Sequence, residues 1–303
     1  MAHALLPVLC FLQLAKPANS QEWLFHCFFS TLVVPFQFGS AGSNSTGKGG
    51  NALPSPEVRI MGLPGLWEVV PGDDLAALIV QAITASGPRI GGGDIFVITQ
   101  KIVSKAEGRI VKLDSVEPSP LAQRWAAAHQ KDERVVEVIL RETHRILRMD
   151  RGILITETRQ GFVCANAGVD ASNAPEGSVT LLPEDPDQSA RRLHAQLEKA
   201  FGVRLAVIIS DTFGRAWREG LVNVALGVAG LAPLLDYRGQ PDVFGRALQV
   251  TVIAVADELA SAAELVMGKT SRVPVAVIQG FNYQTAQGSG RELLRPAELD
   301  LFR

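Results

Sequence analysis

Four stretches of this 303-residue sequence carry side chains whose types and spacing suit chemistry. The first is Asp211-Thr212. An almost wholly apolar run over 205–209 ends in Ser210-Asp211-Thr212-Phe213-Gly214-Arg215. A carboxylate at the end of a buried strand is costly unless it is capped, paired or metal-bound. With the adjacent hydroxyl it suits an oxygen-ligand magnesium or manganese site; otherwise it caps a following helix. The second is Asp170, in Asn166-Ala167-Gly168-Val169-Asp170-Ala171-Ser172-Asn173. Small residues around one Asp and one Asn suit a backbone approached closely by a ligand, or a simple Asx turn. The third is the basic set Lys101, Lys105 and Arg109. If 101–105 is helical, both lysines lie on one side, ready to hold phosphates or to form a solvated charged face. The fourth is Met267-Gly268-Lys269-Thr270-Ser271-Arg272, after a helical pattern. It either closes on phosphate or ends the helix with basic residues placed for its dipole. Two acidic oxygen sites with two cationic segments point to metal-dependent phosphate chemistry, because magnesium is commonly held by one or two carboxylates plus substrate phosphates.

The elements that must position these residues follow from periodicity and breakers. A Pro71-Gly72-Asp73-Asp74 turn leads into a helix over 75–85, and Gly91–93 precede a short buried strand over 94–98. Helices are expected over 121–129 and 135–147, and a strand pair over 153–156 and 161–165. A strand over 178–182 and a helix from Asp185 to Phe201 follow. The run 205–210 reads as a strand covered on both faces. A strand over 250–256, a helix over 257–267 and a last strand over 273–278 complete the pattern. Strands and helices mix without a regular βαβ rhythm, so the fold class is α+β, in two lobes.

Composition removes other classes. Hydrophobic residues at 47% and charged residues at 20% exclude a disordered or collagen-like chain. A net charge of −2 gives no case for nucleic-acid binding. Three cysteines without CxxC spacing argue against a disulfide framework or structural zinc and for a cytoplasmic protein. Cys164 lies in an expected strand and reads as core. No Ser-His-Asp or Cys-His arrangement stands at a recognisable spacing. Residues 1–56 read as an extension, with a Gly/Ser/Asn linker over 39–55. Its apolar runs are shorter than the roughly 20 residues of a membrane span, and no Lys or Arg precedes the apolar 4–14 stretch, as a signal peptide requires. Residues 42–48 match GxxxxGK, but Gly49 replaces the magnesium-ligating Ser or Thr and no strand leads in.

Together the motifs resemble the coenzyme F420-0:L-glutamate ligase family, also called F420:γ-glutamyl ligases. The resemblance rests on PGDDL (71–75), VSKAEGR (103–109), NAGVDASN (166–173), LPEDPDQS (182–189), VIISDTFGR (207–215), DVFGR (242–246), VADEL (255–259) and MGK (267–269). It covers 57–303, which it implies is a two-lobed mixed-sheet catalytic domain. It implies GTP-dependent ligation of L-glutamate to the lactyl carboxylate of coenzyme F420-0, then of further γ-linked glutamate, through an acyl phosphate. Asp170, Asp211 and Thr212 match metal ligands for Mg2+ or Mn2+, with K+ as a further candidate, and Asp170, Asp211 and Lys105 form the implied catalytic set. GTP contacts fall on Gln100, Lys101, Lys105 and Asn173, on Met267, Gly268, Lys269, Thr270, Ser271 and Arg272, and on Leu66, Trp67, Glu68 and Val69 largely through backbone. The resemblance also implies a homodimer. One departure matters: archaeal relatives have a glutamate, serving a second metal, where this chain has Lys269. Either a nearby acid substitutes, or the second metal is weaker or absent and Lys269 touches phosphate. The competing readings are a non-catalytic nucleotide- or deazaflavin-binding protein and a metal-dependent phosphohydrolase.

Overall fold

Two apolar runs far apart in sequence become neighbouring parallel strands at the centre of the protein. The computed structural model describes residues 56–66 and 68–300, so the 42–48 motif and Trp67 lie outside the described residues. The chain runs β1 (Arg59–Gly62), α1 (Leu75–Ser86), β2 (Asp94–Thr99), α2 (Gln100–Ala106), β3 (Ile110–Lys112), α3 (Pro120–His129), α4 (Glu133–Glu142) and β4 (Thr143–Asp150). It continues with β5 (Ile153–Thr158), β6 (Val163–Ala165), β7 (Ser178–Thr180), α5 (Pro186–Phe201), β8 (Leu205–Arg215) and β9 (Arg218–Ala229). β10 (Leu235–Asp236), β11 (Val252–Ile253), α6 (Val255–Met267) and β12 (Val275–Gln279) follow. The fold is α+β.

The main sheet has five strands in the order β1-β12-β2-β8-β9. Only β2 and β8 pair in parallel; the other neighbours are antiparallel. Both faces are covered, which is why the central strands are apolar throughout. Phe96, Ile98, Val207 and Ile209 pack under α1 and α5, with Ile79, Ile83, Leu193 and Leu197. The alternate residues Ile95, Val97, Ala206 and Ile208 pack on Leu259, Ala260 and Ala263 of α6. Burying a Leu- or Ile-sized side chain contributes roughly 1.5–3 kcal/mol, so this sandwich is the rigid support of the site.

Residues 110–182 build separate, smaller layers. β4, β5 and β6 form a three-stranded sheet, and β3 pairs with β7. The α3–α4 pair packs its own apolar cluster around Ala126, Ile139 and Leu154. Arg109 ties this part to α4 and to the chain before α5: its Nη2 lies 2.7 Å from Glu142 Oε2, and its Nε donates to the Leu182 carbonyl at 3.0 Å.

Several expectations need correction. The helix expected over 135–147 stops at Glu142; Thr143 caps it, and residues 143–150 turn into strand β4 paired with β5. Apolar spacing at 135–140 carries the helix, but the following residues find backbone partners only across the hairpin. The strand expected over 250–256 shrinks to Val252–Ile253, because Val255, Ala256, Leu259, Ala260 and Ala263 form the buried face of α6. The run 205–210 continues as strand through Arg215 and returns as β9. Asp211 therefore caps no helix.

Candidate active site

Thr99 pairs with Ser210, and there β2 ends while β8 continues. Asp211 is the first residue of β8 beyond that last pair. The chain leaves β2 directly into α2, so Gln100 and Lys101 start a helix beside Asp211. Ligands of open α/β sheets gather beyond the carboxyl ends of parallel strands, and this is that place here.

On α2 the expected i, i+4 pair forms. Lys101 Nζ lies 2.6 Å from Asp170 Oδ2 and 2.5 Å from Ser172 Oγ. Lys105 is buried, with Nζ 3.3 Å from Oε1 of the exposed Glu68. Gln100 points inward, 1% exposed, and accepts a hydrogen bond from Ser104 Oγ at 2.8 Å. Arg109 belongs to the structural link above rather than to this cluster.

Asp170 sits after a tight turn in which Asn166, Ala167 and Gly168 all have positive φ. A Cβ on Gly168 would lie 2.6 Å from Leu182 Cγ, so packing against Leu182 explains that small residue. The main chain of Asp170 is fixed by reciprocal bonds with Thr180, at 3.0 and 2.8 Å. Its Oδ1 accepts from Ser172 N–H at 2.7 Å, an Asx turn, while Oδ2 accepts from Ser172 Oγ at 2.9 Å. Turn and ion pair coexist. Burial works against the charged form, but the Lys101 and Ser172 hydrogen bonds outweigh it and hold the Asp170 carboxyl below its ordinary range. Asn173 is exposed nearby with a φ of 57°.

Asp211 shows the opposite balance. Burial pushes its carboxyl up to about 6, against the pull of the Thr212 N–H and the Lys101 ammonium; the Asp170 charge adds to the rise and Lys269 opposes it. A half-buried carboxylate within the electrostatic reach of a second carboxylate and two ammonium groups is the electrostatic pattern of functional sites. Cys164 lies close enough to feel the Asp211 charge, but burial is the main cause that raises its thiol to about 12, so it is inert core.

The pleat of β8 separates Thr212 from Asp211. Thr212 faces α6, where its Oγ1 donates to Asn223 Oδ1 at 2.6 Å and accepts from Lys269 Nζ. Asn223 Nδ2 donates to Glu264 Oε2 at 2.9 Å, and Lys269 Nζ lies 3.1 Å from Glu264 Oε1. Asn223 and Glu264 were not anticipated. Asn223 announces itself only as the one polar residue within the apolar Leu221–Ala225 stretch, and Glu264 by nothing local.

The remaining expected contacts divide. Met267, the last residue of α6, is fully buried. Gly268 ends that helix, its N–H donating to the Glu264 carbonyl, and Ser271 Oγ donates to the Met267 carbonyl. Gly268, Lys269, Thr270, Ser271 and Arg272 form an exposed cationic loop. Val69 is core and Leu66 packs against it, leaving Glu68 exposed. Among the described residues, no group of three or more His, Cys, Asp or Glu is placed to hold a metal by itself. Two cavities of about 280 and 250 Å³ are lined by other residues.

The sheet places Asp211 just past the last residue pair of its two parallel strands, with the Asp170–Lys101 ion pair close enough to act on its charge. Residues 65–280 match the family model of F420-0:gamma-glutamyl ligase, and the chain belongs to that family. It is 49% identical over 249 residues to a protein named coenzyme F420:L-glutamate ligase from Methanothermobacter thermautotrophicus, covering 81% of this chain and 99% of that one. It is 47% identical over 253 residues to the protein of the same name from Methanopyrus kandleri, covering 82% and 98%. The Archaeoglobus fulgidus protein of that name is 40% identical over 247 residues, covering 81% and 96%. No helix among the described residues is long and apolar enough to cross a membrane.

Proposed function

We propose that this site joins L-glutamate to the terminal carboxylate of coenzyme F420-0, at the expense of GTP and through an acyl phosphate. The observation that carries the reading is the Lys101–Asp170 ion pair beside Asp211, where β2 ends and β8 continues. Family membership supplies the reaction class, and charge supplies the rest of the reading. Phosphoryl transfer is catalysed mostly by positioning and by neutralising charge on the transferring group.

The donor set fits a hard cation. Asp170 and Asp211 offer carboxylate oxygens, and Asp170 Oδ2 already holds an ammonium at 2.6 Å. Mg2+ or Mn2+ would be held by Asp170 and Asp211, with K+ as an accessory ion; Thr212, its hydroxyl engaged by Asn223 and Lys269, stands on the other side of the strand. Such a cation would supply charge neutralisation on the nucleotide phosphates. Lys101 and Lys105 hold phosphate oxygens, and the exposed loop with Lys269 and Arg272 covers the nucleotide. Segment 66–69 and Asn173 flank it. The acceptor carboxylate of F420-0 attacks the γ-phosphorus of GTP and expels GDP; the amine of L-glutamate then attacks the acyl carbon, loses a proton and displaces phosphate. The chain works in the cytoplasm as a homodimer on this reading.

The test compares nucleotides. The full chain with Mn2+, F420-0 and L-glutamate is expected to release GDP from GTP at least about tenfold faster than ADP from ATP, the ratio a 1.4 kcal/mol difference gives. Equal rates would remove GTP from the reading. Release that is indifferent to F420-0 would favour a phosphohydrolase.

A further inference from the structure

The side of β8 turned away from Asp170 holds a second polar arrangement. Asn223 is 2% exposed, in register with Thr212 and flanked by Val222 and Val224. A buried carboxamide is costly unless its hydrogen bonds are met. Here both its oxygen and its nitrogen find named partners. Its Oδ1 accepts from Thr212 Oγ1 at 2.6 Å and lies 3.5 Å from Lys269 Nζ, while its Nδ2 donates to Glu264 Oε2 at 2.9 Å. Its carbonyl accepts from Ser261 Oγ at 2.7 Å. Glu264 Oε1 takes Lys269 Nζ at 3.1 Å, and Lys269 donates to Thr212 Oγ1, closing a ring of four side chains.

The ring has a direction. The single proton of Thr212 is given to Asn223, so its lone pairs face Lys269. Asn223 uses its donor on Glu264, so the carboxylate keeps its other oxygen for Lys269. Three oxygens from two strands and a helix thus fix one ammonium. A lysine side chain carries about 2 kcal/mol of rotamer entropy, and one with 59% of its side chain exposed has little reason to stay in one place without such a cradle.

We propose that Asn223 and Glu264 are positioning residues, which fix the Lys269 ammonium against Thr212 as a built-in positive charge for the nucleotide phosphates. The proposal rests on the reading of Asp211-Thr212 as the phosphoryl-transfer centre. It makes Glu264 the partner of Lys269 rather than a free ligand for a cation.

The experiment is a double-mutant cycle on the full chain, with Glu264→Gln and Asn223→Ala each made alone and with Lys269→Met. Two quantities are read: kcat for glutamate-dependent GDP release, and Kd for GTP in the presence of Mn2+. Glu264→Gln and Asn223→Ala are each expected to lower kcat about 10- to 100-fold, as loss of outer-shell partners does. In the Lys269→Met background the same substitutions are expected to change kcat and Kd by less than about twofold, because coupled residues are not additive. Equal effects with and without Lys269 would overturn the proposal, as would a lowered Tm with kcat and Kd unchanged. Glu264→Gln decides the matter if Asn223→Ala fails to fold. A parent chain that binds no GTP would sink the phosphoryl-transfer reading itself and this inference with it; a parent that turns over with additive variants sinks the inference alone.

Discussion

Asp211 is held at a cost, and that cost identifies its role. Burial raises its carboxyl to about 6 while Lys101 and Lys269 pull the other way, so the charged form needs a partner to complete it. Asp211→Ala is expected to lower glutamate-dependent GDP release by at least about 100-fold, the size of loss seen when one charge-stabilising group is removed; activity within tenfold of the parent would contradict the assignment. Asp257 gives a cleaner pH prediction, because it lies apart from the cluster. Burial raises its carboxyl, against the pull of the Ala225 N–H that it accepts at 2.8 Å. An acid whose folded pKa is raised binds its proton more tightly when folded. It adds stability below the ordinary Asp value of about 3.9 and loses it as pH rises through the folded value. Asp257→Asn keeps an acceptor for that N–H. Its Tm relative to the parent is therefore expected to be highest at pH 7, to fall as pH drops through the raised folded value, and to level off below about 4; thermal melts across that window check it.

Turns and strand ends place the groups, so backbone changes there should act at a distance. Gly168 combines a φ of 69° with a Leu182 contact that leaves no room for a Cβ. Gly168→Ala is expected to cost about 2 kcal/mol or more, lowering Tm by roughly 5 °C for a chain of this size, with Asp170 displaced. An unchanged Tm would contradict the packing argument. This turn also shows what was legible in advance. The motif containing Asp170 stood out, but the reason for its glycine lay across the fold in Leu182. Local chemistry was readable: Asp74 and Asp185 cap α1 and α5 as their sequences indicate, accepting from Ala77 and Gln188 N–H. The apolar runs of β2 and β8 were equally plain. β9 was not, because its turn over Ala216 and Trp217 carries no Asn-Gly signal, and Trp217 itself takes the positive φ of 58°. Asn223 and Glu264 were beyond local reading, since their bond spans 41 positions.

Taken whole, the protein has a rigid covered sheet and apolar side chains standing outside it. Trp217 and Phe244 are each 79% exposed and Val243 94%, with Leu221 on the same hairpin as Trp217. Exposed apolar side chains of this size suit an association surface, as the homodimer proposed above requires. Light scattering of the full chain is expected to give twice the chain mass, and Phe244→Glu with Trp217→Arg to give monomer; a monomeric parent would contradict this. The β8–β9 hairpin that carries Trp217 is continuous with Asp211, Thr212 and Asn223. The decisive measurement is GDP release by the full chain with GTP, Mn2+ and F420-0, with and without L-glutamate, followed by the mass of the product. Release that requires L-glutamate, with F420-0 heavier by one or more glutamyl units, is the predicted result. GDP release that proceeds equally without L-glutamate, or an F420-0 mass that does not change, would contradict it.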